Sequence, residues 1–570
     1  MRPAGRRLLY FLVLRPVPDS TRRVVYGCAC VLLAAAAAAW NWITGNRGIF
    51  LFDQSMIFDG GWRILQGQVP YRDFVMPFGP LTYLVQALFF RLCGVNWAAM
   101  LLPACLASAL ATLSVMRTTR LLLGGGMRWF ACCAGLATAV CLQAPFGTLF
   151  MDQMALFCNL LALQAVAESL RAAGRRRRLW QAAAGVLLVL SILSKQTFGL
   201  FFIPVLPAVM LAGELPLLRA GRGAALAFAS GVAASAGLSL AIAWRYACLH
   251  EFLHRAVGVA GHIGASRISV GKIAAGLFLG PVPNVFQPDM LAVLAGAVYL
   301  FLAIPNYRGR LWRDLAPAAV CAFSLPIYRS FAQSLTLNEW ENSLATLGLA
   351  AGVGAGLLWR LPEYVALSPA AGPAPARLPG VRAFRAVCVA VAALWGVVSV
   401  GNAIRADWNR VVQQFQPGNV FRARVAAPGL EGLLWGEPTM LGPDTGPSAI
   451  LRRQDFEATI RYLQARKRNF FVMGDSVLFY GLAGVVSPQP LLYFQSGHSF
   501  LAEDFPQLDE WMAASLQRNR VRLVVGEKLT FDGQGVGRYR GFPRVWAWFQ
   551  DGFRHTADFG NYEIWERPGP

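Results

Sequence analysis

Acidic side chains are scarce in this sequence: 30 Asp and Glu stand against 52 Lys and Arg, a formal net charge of +22 over 570 residues. Charge of either sign is thin, at 14% of residues, where a soluble protein carries roughly 25%. Hydrophobic residues make up 56% and the mean hydropathy is +0.45, more apolar surface than a water-soluble core can hold. An ordinary soluble protein is therefore excluded. The basic excess does not indicate nucleic acid, because the arginines cluster between apolar runs, where they set membrane orientation and attract phosphate-bearing lipids. A disulfide framework is absent too: Cys28, Cys30, Cys132, Cys133, Cys141 and Cys158 lie in apolar segments, and none of the 11 cysteines lies beyond Cys388. No Cys/His spacing matches a zinc site, and no Gly-rich phosphate cradle is evident.

What is there is a series of apolar runs of the roughly 20 residues a helix needs to cross hydrocarbon. About eleven transmembrane helices are expected, near 24–43, 97–116, 129–145, 152–170, 179–194, 197–213, 223–244, 289–305, 315–330, 343–360 and 384–402. Arg6, Arg7, Arg22 and Arg23 before the first run resemble a signal-peptide flank, but a retained first helix is the simpler account. Alternate connections carry Arg117, Arg120 and Arg128; Arg171 and the run Arg175 to Arg178; Arg219 and Arg222; Arg308, Arg310 and Arg313; Arg377 and Arg382. The positive-inside rule makes these cytoplasmic, with the N-terminus inside and the C-terminal tail outside. Residues 1–402 read as the membrane module and 403–570, richer in charge and turn formers, as a soluble α/β domain. In that domain 469–473, 521–525 and 560–565 read as strands, and 455–466 and 505–518 as helices. The long first outer loop, 44–96, holds helical patterns at 54–65 and 81–92 that suit the membrane interface.

Ionisable groups at membrane depth are expensive and usually functional or paired. Asp53 follows the first span, Asp152 begins the fourth, and Lys195 sits at the turn between the fifth and sixth, all on the outer side. A carboxylate there can act as general base on an acceptor hydroxyl. A second can orient the acceptor or hold a divalent metal, and a lysine can neutralise a departing phosphate. Asp53 and Asp152 would equally serve as helix N-caps, and Lys195 could snorkel to the interface. Asp59 and Asp73 each have an arginine nearby to pair with. Gln153 and Gln196 adjoin the candidate residues and are supporting candidates. The loop 245–288 brings His250, His254, Arg255, His262, Arg267 and Lys272, best read as solvated charges on an interfacial helix. Gly474-Asp475-Ser476 reads as a strand-ending turn.

These residues carry a family resemblance. Asp53, then Leu65-Gln66-Gly67-Gln68-Val69-Pro70-Tyr71-Arg72-Asp73, Gly79-Pro80-Leu81-Thr82-Tyr83 and Phe90-Arg91-Leu92-Cys93-Gly94 resemble the first outer loop of GT-C membrane glycosyltransferases that use polyprenyl-phosphate sugars. Bacterial members include protein-mannosyltransferase-like enzymes, the lipid A aminoarabinose transferase and lipopolysaccharide-core galacturonosyltransferases. The resemblance implies a catalytic Asp53, a second acidic residue Asp152, and donor-phosphate contacts from Lys195, with Gly199 completing its turn, and from Arg72, with Asp73 in a supporting place. Many members have Asp-Glu where this chain has Asp53-Gln54, which weakens a metal role there. The implied partners are a polyprenyl-phosphate sugar donor, membrane lipids, and a glycan, lipid or protein acceptor, and no nucleic acid. The implied place is a bacterial inner membrane with the tail in the periplasm. A flippase of lipid-linked sugars would hold its ionisable groups near the midplane, and a noncatalytic scaffold would tolerate loss of Asp53 and Asp152.

Overall fold

A computed structural model of the chain describes residues 19–76, 78–124, 127–142, 147–214, 221–259, 261–262, 288–303, 314–325, 347–365, scattered positions between 383 and 401, 422–436, 439–440, 450–492, 494, 499–530 and 532–568. The chain is mostly helical, with five described helices long and apolar enough to cross a membrane, and has a C-terminal sheet. The membrane half runs α1 (Asp19–Gly45), α2 (Leu51–Leu65), α3 (Leu81–Cys93), α4 (Trp97–Leu123), α5 (Arg128–Cys141), α6 (Met151–Arg171), α7 (Gly174–Ile192), α8 (Gln196–Glu214), α9 (Gly221–Arg245), α10 (Leu249–Leu253), α11 (Pro288–Ala303), α12 (Leu315–Ala319), α13 (Leu347–Leu349) and α14 (Ala355–Val365). Three π-helical turns, His254–Val259, Val320–Ser324 and Ala350–Gly354, extend α10 and α12 and join α13 to α14. Described helices overlap ten of the eleven expected spans, and the five long apolar ones are among them. The last, 384–402, lies largely outside the described residues, as does the expected boundary at 402–403.

The bundle has two chemically distinct ends. At one, Arg117 pairs with Glu168 at 2.6 Å, Arg171 donates to the Leu121 carbonyl at 2.7 Å, Arg177 pairs with Glu214, and Arg360 binds both Asp314 and the Leu123 carbonyl. Arg120 lies 5.2 Å from the Tyr26 ring, which brings the start of α1 to the same end. Arg117, Arg120, Arg171 and Arg177 belong to the Arg-bearing connections of the sequence, and these bonds link the tips of α4 with α6, α7 with α8, and α14 with α4 and the start of α12. Between the ends, α1 and α9 turn Val31, Leu32, Leu226, Leu238 and Trp244 outward, each more than 60% exposed. Such apolar patches suit lipid and not water.

The opposite end is roofed by the C-terminal part. Its sheet has the order β5-β6-β8-β7, with β5 (Phe470–Met473) parallel to β6 (Leu523–Glu527), and β8 (Tyr562–Glu566) antiparallel to both β6 and β7 (Arg554–Phe559). Short antiparallel pairs join β1 (Ala423–Arg424) to β2 (Leu434–Trp435) and β3 (Thr439–Met440) to β4 (Ile450–Leu451). Helices α15 (Arg453–Arg466), α16 (Phe479–Ala483), α17 (Phe505–Arg518) and α18 (Pro543–Gln550) complete it. Backbone hydrogen bonds stitch this part to the first outer loop. Leu434 exchanges them with Asn46 and Gly48, Trp97 N–H donates to Gly429, and Val75 pairs with Pro490 and Leu492. Helix α2, whose pattern suits an interface, is enclosed between α3 and the segment 476–492, so its residues Gln54 to Arg63 are buried. An amphipathic pattern cannot tell a headgroup layer from a covering protein segment.

Candidate active site on the roofed end

The site is framed by close backbone approaches. Leu81 N–H donates to the Leu193 carbonyl at 3.0 Å, which presses the Gly79-Pro80 corner onto the turn between α7 and α8. A Cβ on Gly79 would come within 2.0 Å of the Leu193 oxygen, and one on Gly199 within 2.5 Å of the Ile192 nitrogen. The two glycines of the family-like motifs are thus spatial requirements: they let the loop and the start of α8 fold tightly around Lys195. On the other flank, Asn41 donates to the Gly147 carbonyl at 2.9 Å, drawing the start of α6 against the end of α1. Tyr71, with a left-handed φ of 68°, donates its hydroxyl to the Phe78 carbonyl at 2.6 Å and fixes the loop between them.

Within that frame the three candidate residues converge. Lys195 Nζ lies 2.5 Å from Asp152 Oδ1. It also sits 5.0 Å from the Phe198 ring and 5.6 Å from the Phe78 ring, an aromatic setting that favours a cation. Asp53 is close enough for both charges to act on it. Burial pushes its carboxyl up to about 7, the negative charge of Asp152 adds to the rise, Lys195 opposes it, and Asp475 of the C-terminal sheet adds again. A carboxylate poised near neutrality beside a second carboxylate and an ammonium matches the demands of general-base chemistry.

The capping roles open to Asp53 and Asp152 are not taken. Helix α2 starts at Leu51 with Phe50 as N-cap, and α6 starts at Met151 with Phe150, so both carboxylates lie inside the first turn. Gln54 does the capping instead. Its side-chain oxygen accepts from Phe50 N–H at 2.6 Å and its amide reaches Thr148 at 3.4 Å. Gln54 is therefore structural, a role its place in the motif does not reveal. Asp59 pairs with Arg63 at 2.7 Å, as its spacing suggests. Arg72 and Asp73 form an exposed two-pronged pair at 2.7 and 2.9 Å, and Asp73 also accepts from Val69 N–H; the structure holds Arg72 in this pair and not against Asp152. Gln153 and Gln196 adjoin the centre by sequence, and the Gln153 side-chain oxygen is buried with no hydrogen-bond partner among the described residues.

In the basic loop His250 is solvated as expected, whereas Arg255 is not. Arg255 is buried and pairs with Asp504 at 2.6 Å and Glu251 at 3.4 Å, while His254 lies 3.3 Å from Asp504. The partner comes from the C-terminal domain, so the loop alone gave no reason to bury a charge. Arg267 and Lys272 lie outside the described residues. Among the described residues no group of three or more His, Cys, Asp and Glu could hold a metal ion, and one Asp152 oxygen already faces Lys195. This donor set fits a salt-bridged pair better than a cation centre.

Several solved structures resemble the chain, among them the following three. The crystal structure of ArnT from Cupriavidus metallidurans bound to undecaprenyl phosphate shares 13% identity, with 97% of this chain and 99% of that chain covered and a TM-score of 0.49. The apo form of the same protein shares 14%, covering 97% and 100%, with a TM-score of 0.43. The cryo-EM structure of the arabinosyltransferase EmbB from Mycobacterium smegmatis shares 17%, covering 70% and 42%, with a TM-score of 0.39. No curated protein sequence matches the chain. Residues 77–236, which carry the Gly79-Pro80 corner, Asp152 and Lys195, match the family of dolichyl-phosphate-mannose-protein mannosyltransferases. Through that segment, with its Asp152 and Lys195 positions in the matched stretch, the chain is similar to a family of membrane glycosyltransferases.

Proposed function

We propose that the chain moves a sugar from a polyprenyl phosphate to an acceptor hydroxyl, with inversion, at the outer face of a bacterial inner membrane. The observation that carries this reading is the convergence of Asp53, Asp152 and Lys195 at the roofed end, with the Asp53 carboxyl pushed up to about 7. The matched family takes its sugar from a dolichyl phosphate, which supports the same donor class here. The arginine-bonded end, read by the positive-inside rule, supports an outward-facing site with the C-terminal domain in the periplasm.

In this mechanism the ionised Asp53 removes the proton of the acceptor hydroxyl. The freed oxygen attacks the anomeric carbon, the bond from that carbon to the phosphate oxygen breaks, and the polyprenyl phosphate leaves with both electrons. Lys195, aimed by Asp152, meets the negative charge that builds on the phosphate. Arg72 stands on the same outer loop as a second cation, and Gln153 and Gln196 flank the centre. A divalent ion is not needed for any of these steps.

The test is transfer from a panel of undecaprenyl-phosphate hexoses and pentoses by protein held in lipid nanodiscs. Asp53→Asn is expected to lose about 10²- to 10⁴-fold, the usual worth of a positioned base, and Asp152→Asn to weaken donor turnover. Folded variants that both match the wild type would rule the assignment out.

A further inference from the structure

The carboxyl ends of β5 and β6 carry a polar cluster that this reaction leaves unused. In open α/β sheets ligands bind outside the carboxyl ends of parallel strands. Met473 stands opposite Gly526 in the parallel pair, so the turn Gly474-Asp475-Ser476 lies beside Glu527, the last residue of β6. Ser476 N–H donates to Glu527 Oε1 at 2.8 Å, and the Ser476 hydroxyl lies 3.0 Å from that of Tyr562. Arg538, from the 3₁₀ segment Gly535–Gly541, donates to Asp475 Oδ1 at 2.7 Å and sits 5.1 Å from the Phe494 ring.

The cluster is buried and incompletely satisfied by protein groups. The Arg538 and Asp475 side chains are 2% and 5% exposed, and Glu527 is 1% exposed. Glu527 Oε2 and Arg538 Nε have no hydrogen-bond partner among the described residues. Buried polar atoms are nearly always satisfied, and exceptions call for a reason. The cluster also adjoins the reaction centre. Just after the turn, α16 packs on α2, the helix that carries Asp53, Trp62 of α2 donates to the Val485 carbonyl at 2.9 Å, and the charge of Asp475 reaches Asp53.

We propose that Asp475, Arg538 and Glu527 form an acceptor subsite that receives the neighbouring hydroxyls of a saccharide beside Asp53. This rests on the glycosyl-transfer reading above. A sugar hydroxyl can donate to the Asp475 carboxylate while accepting from Arg538. Glu527, pushed up to about 7 by burial and by Asp475, presents either an O–H or a lone pair to the next hydroxyl. Adjacent hydroxyls on one ring match this mixture of donors and acceptors, whereas a single side-chain hydroxyl of a peptide would leave most of it unpaired.

The experiment uses the full chain in nanodiscs, undecaprenyl-phosphate sugars as donors, and octyl glucoside or water as acceptor. Asp475→Asn should raise the KM for octyl glucoside about ten- to a hundredfold, the loss expected when a hydrogen bond to a charged group is removed. The Kd for undecaprenyl phosphate, read by tryptophan fluorescence, should stay at the wild-type value. Among the described residues the charges that act on Asp53 are Asp152 from α6, Lys195 from the turn before α8, and Asp475 from the turn after β5. Removing the last makes Asp53 a stronger acid, so the acid limb of donor hydrolysis should move to lower pH. An unchanged KM, a parallel loss of undecaprenyl phosphate binding, an unmoved acid limb, or a wild type that hydrolyses the donor without glycosylating octyl glucoside would each overturn the subsite. Glu527→Gln is read by the same KM and Kd criteria if Asp475→Asn fails to fold. A wild type that binds undecaprenyl phosphate but consumes none of the donors in either reaction refutes glycosyl transfer itself, a result distinct from the others.

Discussion

Asp53 sets a pH dependence that separates its proposed role from that of an ordinary carboxylate. A base acts only when ionised, and burial with the Asp152 charge places its half-ionised point at about 7 instead of 3.8. The ionised fraction at pH 5 is then about 1%, so kcat/KM should stand about a hundredfold below its alkaline plateau. A carboxyl with the usual affinity would be about 90% ionised at pH 5 and show almost no loss. The assay is initial-rate transfer in nanodiscs from pH 5 to 9, at donor concentrations below KM. Charge neighbours give opposite signs: Lys195→Met removes an attraction and should move the limb to higher pH, while Asp152→Asn removes a repulsion and should move it lower. A limb near pH 4, or variants that shift it in the same direction, would refute the reasoning. Stability runs the other way. A carboxyl raised on folding favours the folded state most below its unfolded value near 3.8, and that contribution is lost as pH rises through about 7. Activity thus gains over the window in which this carboxyl ceases to help folding.

Arg63 is buried with Asp59 at 2.7 Å and also donates to the Gln489 carbonyl at 2.6 Å. Arg63→Met should cost about 3–5 kcal/mol, the usual result of stripping one partner from a buried pair, and pairing it with Asp59→Leu should recover part of that loss in thermal unfolding. Gly79→Ala puts a methyl group 2.0 Å from the Leu193 oxygen. It should displace the Lys195 turn at a cost of about 1–3 kcal/mol, seen as weaker undecaprenyl phosphate binding in protein that remains folded.

The membrane helices were legible because lipid demands long apolar runs and arginine marks one set of their connections. In the C-terminal domain the helix expected at 455–466 is Arg453–Arg466, and that expected at 505–518 is Phe505–Arg518. Both carry strong amphipathic periodicity. Strand β7, Arg554–Phe559, was missed because it is an exposed, polar edge with no apolar run, although Gly560-Asn561 after it is a hairpin signal. Asp53, Asp152 and Lys195 could be grouped from sidedness alone, since alternation of spans needs no distant contact. Asp475 could not: its approach to Asp53 depends on a fold-back across more than 400 residues, and its turn motif reads the same whether it faces water or a reaction centre. Arg255 was misjudged for the same reason, its partner Asp504 being 249 positions away.

The segment that roofs α2 has a consequence for biosynthesis. Trp62 and Arg63 belong to the first eighth of the chain, yet their partners at Val485, Ser487 and Gln489 are made in its last fifth. While the ribosome works through the intervening helices, the buried face of the Asp53 helix has no cover. The candidate site is therefore closed only when synthesis of the C-terminal part is nearly complete. A chain stalled or cut before residue 485 would lack this cover and leave the Asp59–Arg63 pair bare.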